Sequence, residues 1–452
     1  MPTPPNVIVF FTDQQRWDVS GLHGCPLGLM PNFDRMAHEG VHIETSITAN
    51  PVCGPARAAF QTGMYPTANG SWRNGIPLRR DLPTLAQSFA QAGYETAYIG
   101  KWHLSEGLGP VPPEDRAGYE YWLASNVLEL VSDAYDCIVY DGDGNEHKLP
   151  GYRVDALTDA AIRFVASPRH GPYFLFLSFI EPHHQNHRDD YPAPRGYADS
   201  LTGRWLPPDL AALQGTAPQH FPGYCGMVKR LDEAMGRLRD ALISLRQLED
   251  TIFLFTSDHA CHFKTRNGEY KRACEDSAVR VPTALYGGPF TGGGQVTAPI
   301  NLVDLPPTLL NACGLTVPET MQGRSILPLV RDSRSPWATE TFVQISESQV
   351  GRALRTKRWK YAVQAPGVDG WQFASSDKYR ETHLYDLYAD PYELNNLAHH
   401  ESHAPLRAQF AQRLVAWVER IEGRKVVVEA AEVRVPTGQW RIDDPEFGAD
   451  SG

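Results

Sequence analysis

The stretch NVIVFFT, residues 6–12, decides the fold of this chain, and Asp13 and Gln14 follow it directly. It is almost wholly apolar, as expected of a parallel strand that is buried on both faces of a sheet. Further strands are predicted at 96–99, 173–179, 251–256 and 281–286, with helical patterns between them. The sequence therefore predicts an α/β fold with a large, mostly parallel, doubly wound sheet flanked by helices.

The segments between these strands differ in character. Helices are predicted to begin at Pro31 and Cys53, and to span 82–92, 154–165, 227–242 and 303–312. Residues 104–150 are rich in Gly, Pro and acidic residues, which favours an irregular insertion over one rim of the sheet rather than core. Residues 185–224 are predicted to form a proline-rich loop.

Polar side chains follow four of the predicted strands. Asp13, Lys101, His183 and the pair Asp258-His259 each come just after an apolar run. In a parallel sheet, ligands bind in the crevice beyond the carboxyl ends of the strands. We therefore expect these residues to converge on one site that holds a cation or an oxyanion.

Length and charge limit the classes of protein to consider. The chain has 452 residues, 42 basic and 53 acidic, so its net charge of -11 argues against a nucleic-acid surface. Its seven cysteines are too scattered for a disulfide framework. No apolar run reaches the length of a membrane span and no signal peptide is recognisable, so we expect a cytoplasmic protein without membrane contact.

The pattern changes near residue 336. Short strands at 342–345, 352–355 and 359–363 precede a helix at about 405–419. We predict two domains, a large one over 1–335 that contains the site at the strand ends and a small α+β subdomain with a tail over 336–452, in which an antiparallel sheet packs with a helix.

The stretch NPVCGPAR, residues 50–57, is the main candidate for the reactive centre. A helix opening at Cys53 and ending at Gly63 would place the cysteine at a helix N-terminus, where amide groups and the dipole favour an anion. The alternative is that Cys53 is only a small buried residue, because free cysteine is among the most buried types.

The sequence Cys-Gly-Pro-Ala-Arg at 53–57 resembles the Cys-x-Pro-x-Arg signature of the type I sulfatases, in the alkaline phosphatase-like superfamily. The family more often has serine where this chain has Ala56. The resemblance implies that a formylglycine-generating enzyme converts Cys53 to formylglycine, whose hydrate is the nucleophile, and that Arg57 steadies it. The stretch Leu-Tyr-Asp-Leu at 384–387 also resembles the C-terminal domain of sulfatases.

Four residues are candidates to bind a metal ion: Asp13, Gln14, Asp258 and His259. They offer mostly oxygen ligands, which suit hard cations such as Ca²⁺ or Mg²⁺ better than Zn²⁺. The resemblance implies one Ca²⁺ held by these residues and by position 53, with Mg²⁺ or Mn²⁺ as alternatives. Taken singly, Asp13 and Asp258 could instead cap helices.

The resemblance implies sulfate-binding and proton-transfer roles for Lys101, His103, His183 and Lys271. His183, with Lys271, would protonate the leaving oxygen, and His103 would take a proton from the hydrate. Either lysine alone would more often be a solvated surface charge.

The predicted function is hydrolysis of a sulfate ester on a sulfated carbohydrate or a small organic molecule. A phosphonate monoester or phosphodiester hydrolase on the same scaffold is the alternative enzyme. Retention of Lys101 and His103 favours sulfate, because those relatives tend to replace this pair. An inactive, sulfatase-like binding protein in which Cys53 stays a thiol is the alternative outside enzymes. The oligomeric state is left open.

Overall fold

The computed structural model describes residues 4–432, and within that range the chain forms two β-sheets surrounded by helices. The strands of the large sheet are β1 (Asn6–Thr12), β2 (Val41–Ile47), β3 (Glu95–Lys101), β4 (Tyr121–Ser125), β5 (Cys137–Asp141), β6 (Glu146–Leu149), β7 (Tyr173–Ser178), β8 (Thr251–Ser257), β9 (Arg280–Tyr286), β10 (Gly294–Val296) and β11 (Ile300–Asn301). Those of the small sheet are β12 (Glu340–Ile345), β13 (Gly351–Thr356), β14 (Trp359–Gln364), β15 (Lys378–Asp386) and β16 (Val427–Glu429).

The helices that surround the two sheets are α1 (Pro31–Glu39), α2 (Cys53–Thr62), α3 (Pro66–Asn69), α4 (Leu85–Gln91), α5 (Leu128–Val131), α6 (Arg153–Ala166), α7 (Tyr197–Leu201), α8 (Pro208–Leu213), α9 (Ala217–Ser244), α10 (Asp276–Val279), α11 (Leu305–Ala312), α12 (Leu327–Arg331) and α13 (Ala404–Glu422). None of the helices in residues 4–432 is both long and apolar enough to cross a membrane.

The large sheet is mostly parallel, as predicted. Its strand order is β10-β2-β9-β8-β1-β7-β3-β4-β5-β6, with β11 also paired to β2. The central strands β8, β1, β7, β3 and β4 are all parallel, whereas β9, β5 and β6 pair antiparallel with their neighbours. The carboxyl ends of the central strands therefore lie at one edge of the sheet.

Strand β1 lies in the middle of this sheet because both of its faces are apolar. Ile8 and Phe10 pack in the core under α1, α6 and α9, and Val7, Val9 and Phe11 pack in the opposite core under α2, α4 and α11. All five side chains are fully buried. Burial of each such side chain contributes roughly 1.5–3 kcal/mol, so β1 anchors the region from which the polar residues at its end project.

Helix α2 begins at Cys53 and ends as predicted. Gly63 adopts a left-handed conformation with φ of 63°, and its amide donates to the carbonyl of Ala59. All ten residues of α2 are buried. The cysteine is thus fixed at the N-terminus of a helix packed against the sheet.

The sequence analysis was wrong or incomplete for two parts of the large sheet. Residues 104–150 are not an irregular insertion, because β4, β5 and β6 extend the sheet there, with Trp122 paired in register to Tyr98. Short strands separated by polar turns gave too little periodicity to reveal them. Strand β2 was not predicted, because its sequence VHIETSI mixes polar and apolar residues although six of the seven are buried.

The predicted loop at 185–224 contains α7, α8 and the first turns of α9, which begins at Ala217. Pro222 lies inside α9 without ending it. The helix predicted at 82–92 begins at Leu85, where the hydroxyl of Thr84 caps it by accepting from the amide of Gln87.

The small sheet forms as predicted from antiparallel strands, with β16 added in parallel to β15. Phe410, Leu414 and Val418 of α13 pack on it, and the same core includes Ala59 of α2. The small sheet and α2 therefore share one hydrophobic core. The boundary at residue 335 stays a prediction, and residues 433–452 of the predicted tail lie outside the described range.

Gly100 in β3 lies very close to the backbone of the neighbouring strand β7. Its φ is 108°, and a Cβ there would lie 1.8 Å from the backbone oxygen of Ser178 in β7. We expect Gly100→Ala to destabilise the protein by more than about 3 kcal/mol, since conformational strain adds to a clash with backbone.

Gly93→Ala is the matched control. Gly93 also has a positive φ, of 84°, but no heavy atom of the described residues lies within 4 Å of a Cβ built there. Gly93→Ala should lower the free energy of unfolding by only about 1–2 kcal/mol, the cost of placing a side chain at a positive φ. Urea unfolding of both variants measures the difference, and equal losses would show that the close approach is unimportant.

Candidate active site

The residues predicted from the strand ends lie together at the carboxyl edge of the large sheet. Asp13 follows β1, Lys101 ends β3, and Asp258-His259 follow β8. His183 lies in the loop after β7, and the N-terminus of α2 brings Cys53 to the same point. All of these side chains are fully or almost fully buried, whereas that of His103, two residues after the end of β3, is slightly exposed.

Cys53 contacts three of the predicted partners. Its Sγ lies 2.8 Å from Nζ of Lys271, 3.2 Å from Nε2 of His259 and 3.5 Å from Oδ1 of Asp13. Burial raises the pKa of the Cys53 thiol, but Lys101, Lys271 and His259 outweigh it and hold that pKa well below its usual range. This cationic environment distinguishes Cys53 from a cysteine buried only for packing.

Arg57, one turn after Cys53, connects the two carboxylates. Its Nη2 lies 2.9 Å from Oδ2 of Asp13, and its Nε lies 3.2 Å from Oδ2 of Asp258. Nη1 donates to the hydroxyl of Ser178 and to the backbone oxygen of Lys101. Arg57 thereby ties α2 to the ends of β1, β3, β7 and β8.

Lys101 is held by two carboxylates. Its Nζ lies 2.7 Å from Oδ2 of Asp13 and 2.8 Å from Oε1 of Glu129, and the side chain is fully buried. Burial lowers the pKa of Lys101, but Asp13, Cys53 and Glu129 outweigh it and raise that pKa above its usual range. Lys101 therefore stays protonated, and the third proton of its ammonium group has no partner among the described residues.

Glu129 is a site residue that sequence reasoning missed. It lies in α5, inside the stretch that was predicted to be peripheral, and its Oε1 also lies 3.9 Å from Nδ1 of His103. Nδ1 of His103 is buried without a hydrogen-bond partner among the described residues. No local signal distinguishes Glu129, because a single acidic residue between leucines usually lies on a helix surface.

His183 and Lys271 lie next to each other beside position 53. Nζ of Lys271 lies 3.3 Å from Nε2 of His183. Nδ1 of His183 lies 2.7 Å from the backbone oxygen of His184, so it carries the proton and leaves the lone pair on Nε2. Nε2 of His262 lies 3.0 Å from the backbone oxygen of Lys271 and holds that residue in place.

Comparison with known proteins identifies the family of this chain. Residues 5–315 match the Sulfatase family, and residues 268–420 match the family described as N-sulphoglucosamine sulphohydrolase, C-terminal. The chain belongs to the sulfatase family.

Individual relatives agree with this assignment. The chain is 30% identical over 415 residues to the ulvan-active sulfatase of Formosa agariphila, covering 88% of this chain and 77% of that protein. It is 26% identical to the N-acetylglucosamine-6-O-sulfatase of Bacteroides thetaiotaomicron, with 91% and 85% covered. The crystal structure of YidJ from Bacteroides fragilis has the same fold, with a TM-score of 0.82, 24% identity and 93% and 97% covered. This sulfatase is a sulfuric ester hydrolase.

Membership of the sulfatase family implies a metal ion, and the residues of this sulfatase fit one. Ligand atoms of Asp13, Cys53, Asp258 and His259 all lie within 4.8 Å of one another. The side-chain amide of Gln14 is buried, and neither its nitrogen nor its oxygen has a partner among residues 4–432. Burying such a group unpaired is costly, so its oxygen is best explained as a ligand.

The orientation of His259 also fits a metal site. Its Nδ1 lies 2.9 Å from the backbone oxygen of Ala260, which places the proton on Nδ1 and directs the lone pair of Nε2 toward the cluster. Sequence reasoning grouped His259 with the metal ligands, and the structure places it beside them.

The two carboxylates of the cluster repel each other. Burial and the neighbouring Asp13 raise the pKa of Asp258 to about 7. Burial also raises the pKa of Asp13, but Lys101, His183 and Arg57 outweigh burial and hold that pKa well below its usual range. A divalent cation between the two would favour the ionised form of both.

Proposed function

We propose that this sulfatase hydrolyses a sulfate ester on a saccharide, using formylglycine made from Cys53 and a bound Ca²⁺. The observation that carries the proposal is the contact of Cys53 Sγ with Lys271, His259 and Asp13, which places position 53 between cations and metal-binding groups. The relatives named for ulvan and for N-acetylglucosamine support a saccharide substrate. A formylglycine-generating enzyme would be the maturation partner.

The metal ion would be held by Asp13, Gln14, Asp258, His259 and position 53. Oxygen ligands predominate, which favours Ca²⁺, with Mg²⁺ or Mn²⁺ as alternatives. When bound, the cation would stabilise negative charge beside position 53, and formylglycine would supply a hydrated aldehyde as nucleophile.

Residues of the chain would bind the sulfate group and move the protons. The ammonium groups of Lys101 and Lys271 would orient its oxygens and stabilise developing negative charge. Lys271 donates toward Nε2 of His183, so this pair would deliver a proton to the leaving oxygen. Nδ1 of His103 has no hydrogen-bond partner among the described residues. His103 would accept a proton from the hydrate, and loss of that proton would release sulfate.

The test uses enzyme coexpressed with a formylglycine-generating enzyme. Conversion of Cys53 lowers its mass by about 18 Da, which mass spectrometry measures directly. We expect turnover of an aryl sulfate to exceed that of the matching aryl phosphonate monoester. Cys53→Ala should lower aryl sulfate turnover by at least about a thousandfold. EDTA should abolish turnover, and separate addition of Ca²⁺, Mg²⁺ and Mn²⁺ identifies the metal.

Two outcomes would contradict the proposal. Preference for the phosphonate would favour the alternative hydrolase and remove the sulfate-binding roles given to Lys101 and His103. An unconverted thiol together with no turnover, after coexpression with the maturation enzyme, would favour a binding protein on the sulfatase fold.

A further inference from the structure

The segment 72–75 lies directly against the residue that follows Cys53. Oδ1 of Asn74 accepts a hydrogen bond of 2.9 Å from the amide of Gly54. A Cβ on Gly54 would lie only 2.9 Å from that oxygen and 3.6 Å from Cα of Asn74, so the contact leaves no gap. Side chains of this segment therefore stand at the edge of the active site.

Arg73, in this segment, is a cation with no carboxylate partner among the described residues. Among residues 4–432 its hydrogen bond is from Nη1 to the backbone oxygen of Asn74, 2.9 Å away, and its Nε is buried with no partner. The other arginine at this edge, Arg272, pairs with carboxylates of Glu347 and Glu269. In a chain of net charge -11, an arginine left unpaired beside the active site points to an anionic ligand.

Trp371 also lies at the edge of the active site, next to Arg272. Its side chain is 48% exposed, and its ring centre lies 5.8 Å from Cζ of Arg272. Arg272 follows the site residue Lys271, and its amide donates to the backbone oxygen of Pro51. An exposed tryptophan offers a flat apolar face, with which the apolar face of a sugar ring can stack.

Glu347 connects the segment of Arg73 to Arg272 and to the segment of Trp371. Its Oε1 accepts from the amide of Asn74 at 2.8 Å, and its Oε2 pairs with the guanidinium of Arg272. Its own amide donates to the backbone oxygen of Gly370, 3.0 Å away, next to Trp371. Glu347 is buried and has a positive φ of 67°. One carboxylate therefore sets the segment of Arg73 and that of Trp371 relative to each other.

We propose that Arg73 and Trp371 form a second subsite, which binds an anionic sugar unit next to the sulfated one. Trp371 would stack on the sugar, and Arg73 would pair with its carboxylate or with a second sulfate. The planar guanidinium binds either group through two parallel hydrogen bonds. This subsite rests on the proposed saccharide substrate and narrows it to polyanionic saccharides.

The experiment measures binding in Cys53→Ala, which cannot be converted to formylglycine. The ligands are three disaccharides that carry the same sulfate ester but have a neutral, a uronate or a second sulfated neighbour. We expect one or both anionic ligands to bind at least about tenfold more tightly than the neutral one. Cys53→Ala/Arg73→Gln should lose this preference while still binding the neutral ligand, which also shows that it folds. Trp371→Ala in the same background should weaken binding of all three.

Arg79→Gln is the matched control, because Arg79 lies in the same region but is exposed and paired with Asp81. It should keep the preference. The subsite is refuted if no disaccharide binds, if the parent does not prefer an anionic ligand, or if Arg73→Gln weakens the neutral and anionic ligands equally. Aryl sulfate turnover by the converted enzyme separately tests the proposed function. If aryl sulfate is turned over but anionic disaccharides are not preferred, only the subsite is refuted. If anionic disaccharides are preferred but aryl sulfate is not turned over, only the catalytic proposal is refuted.

Discussion

Asp13→Asn is expected to lower aryl sulfate turnover by about two to three orders of magnitude and to destabilise the fold. Asp13 is fully buried, and its Oδ2 lies 2.7 Å from Lys101 Nζ and 2.9 Å from Arg57 Nη2. Removing one partner of a buried ion pair costs about 3–5 kcal/mol. Because Lys101 keeps Glu129 and Arg57 keeps Asp258, we expect a loss near the lower limit.

The control is a buried ion pair away from the site. Oε2 of Glu381 in β15 lies 2.8 Å from Nε of Arg407 in α13, and both side chains are almost fully buried. Glu381→Gln should also lower the free energy of unfolding, measured in urea, but it should leave kcat unchanged. If Asp13→Asn lost stability and kept kcat within a few fold, Asp13 would be structural only.

Lys271→Ala is expected to lower kcat by about a hundred to ten thousandfold with little change in stability. Nζ of Lys271 contacts Cys53, His183 and His259, and no carboxylate pairs with it among residues 4–432. Its removal therefore breaks no ion pair with a carboxylate in the described part of the chain. The effect should fall on the reacting sulfate and on the proton donated to the leaving group.

Two aryl sulfates separate these contributions. If Lys271 and His183 supply the proton, the loss should be larger for phenyl sulfate, whose leaving group needs protonation, than for 4-nitrophenyl sulfate. Lys264→Ala is the control on the same loop, because Lys264 is partly exposed and pairs with Asp189. Equal losses on both substrates would assign Lys271 to sulfate binding rather than to proton transfer.

Much of the site could be predicted because it follows from the ends of buried strands. Asp13, Lys101 and Asp258 each come directly at or after a strand whose apolar run is visible in the sequence. Parallel strands bring such residues together whatever their separation along the chain. The helix at Cys53 and its end at Gly63 follow from local chemistry and were equally predictable.

The residues that were missed depend on contacts between distant segments. Glu129 reaches Lys101 from a four-residue helix 28 positions later, and nothing within α5 indicates this pairing. Strand β2 is buried although its sequence is half polar, because β9 and the short strands β10 and β11 cover its edges. In both cases the environment comes from tertiary structure, which a single segment does not encode.

The place of β1 in the sheet bears on how the protein is synthesised. β1 pairs with β7 and β8, so its second neighbour is complete only when residue 257 has been translated. In the folded chain Cys53 is only 1% exposed. Between residues 53 and 257 the ribosome adds 204 residues, which takes about 10–40 s at typical rates. We infer that the proposed maturation enzyme reaches Cys53 during this interval, while the apolar side chains of β1 still lack one of their two neighbouring strands.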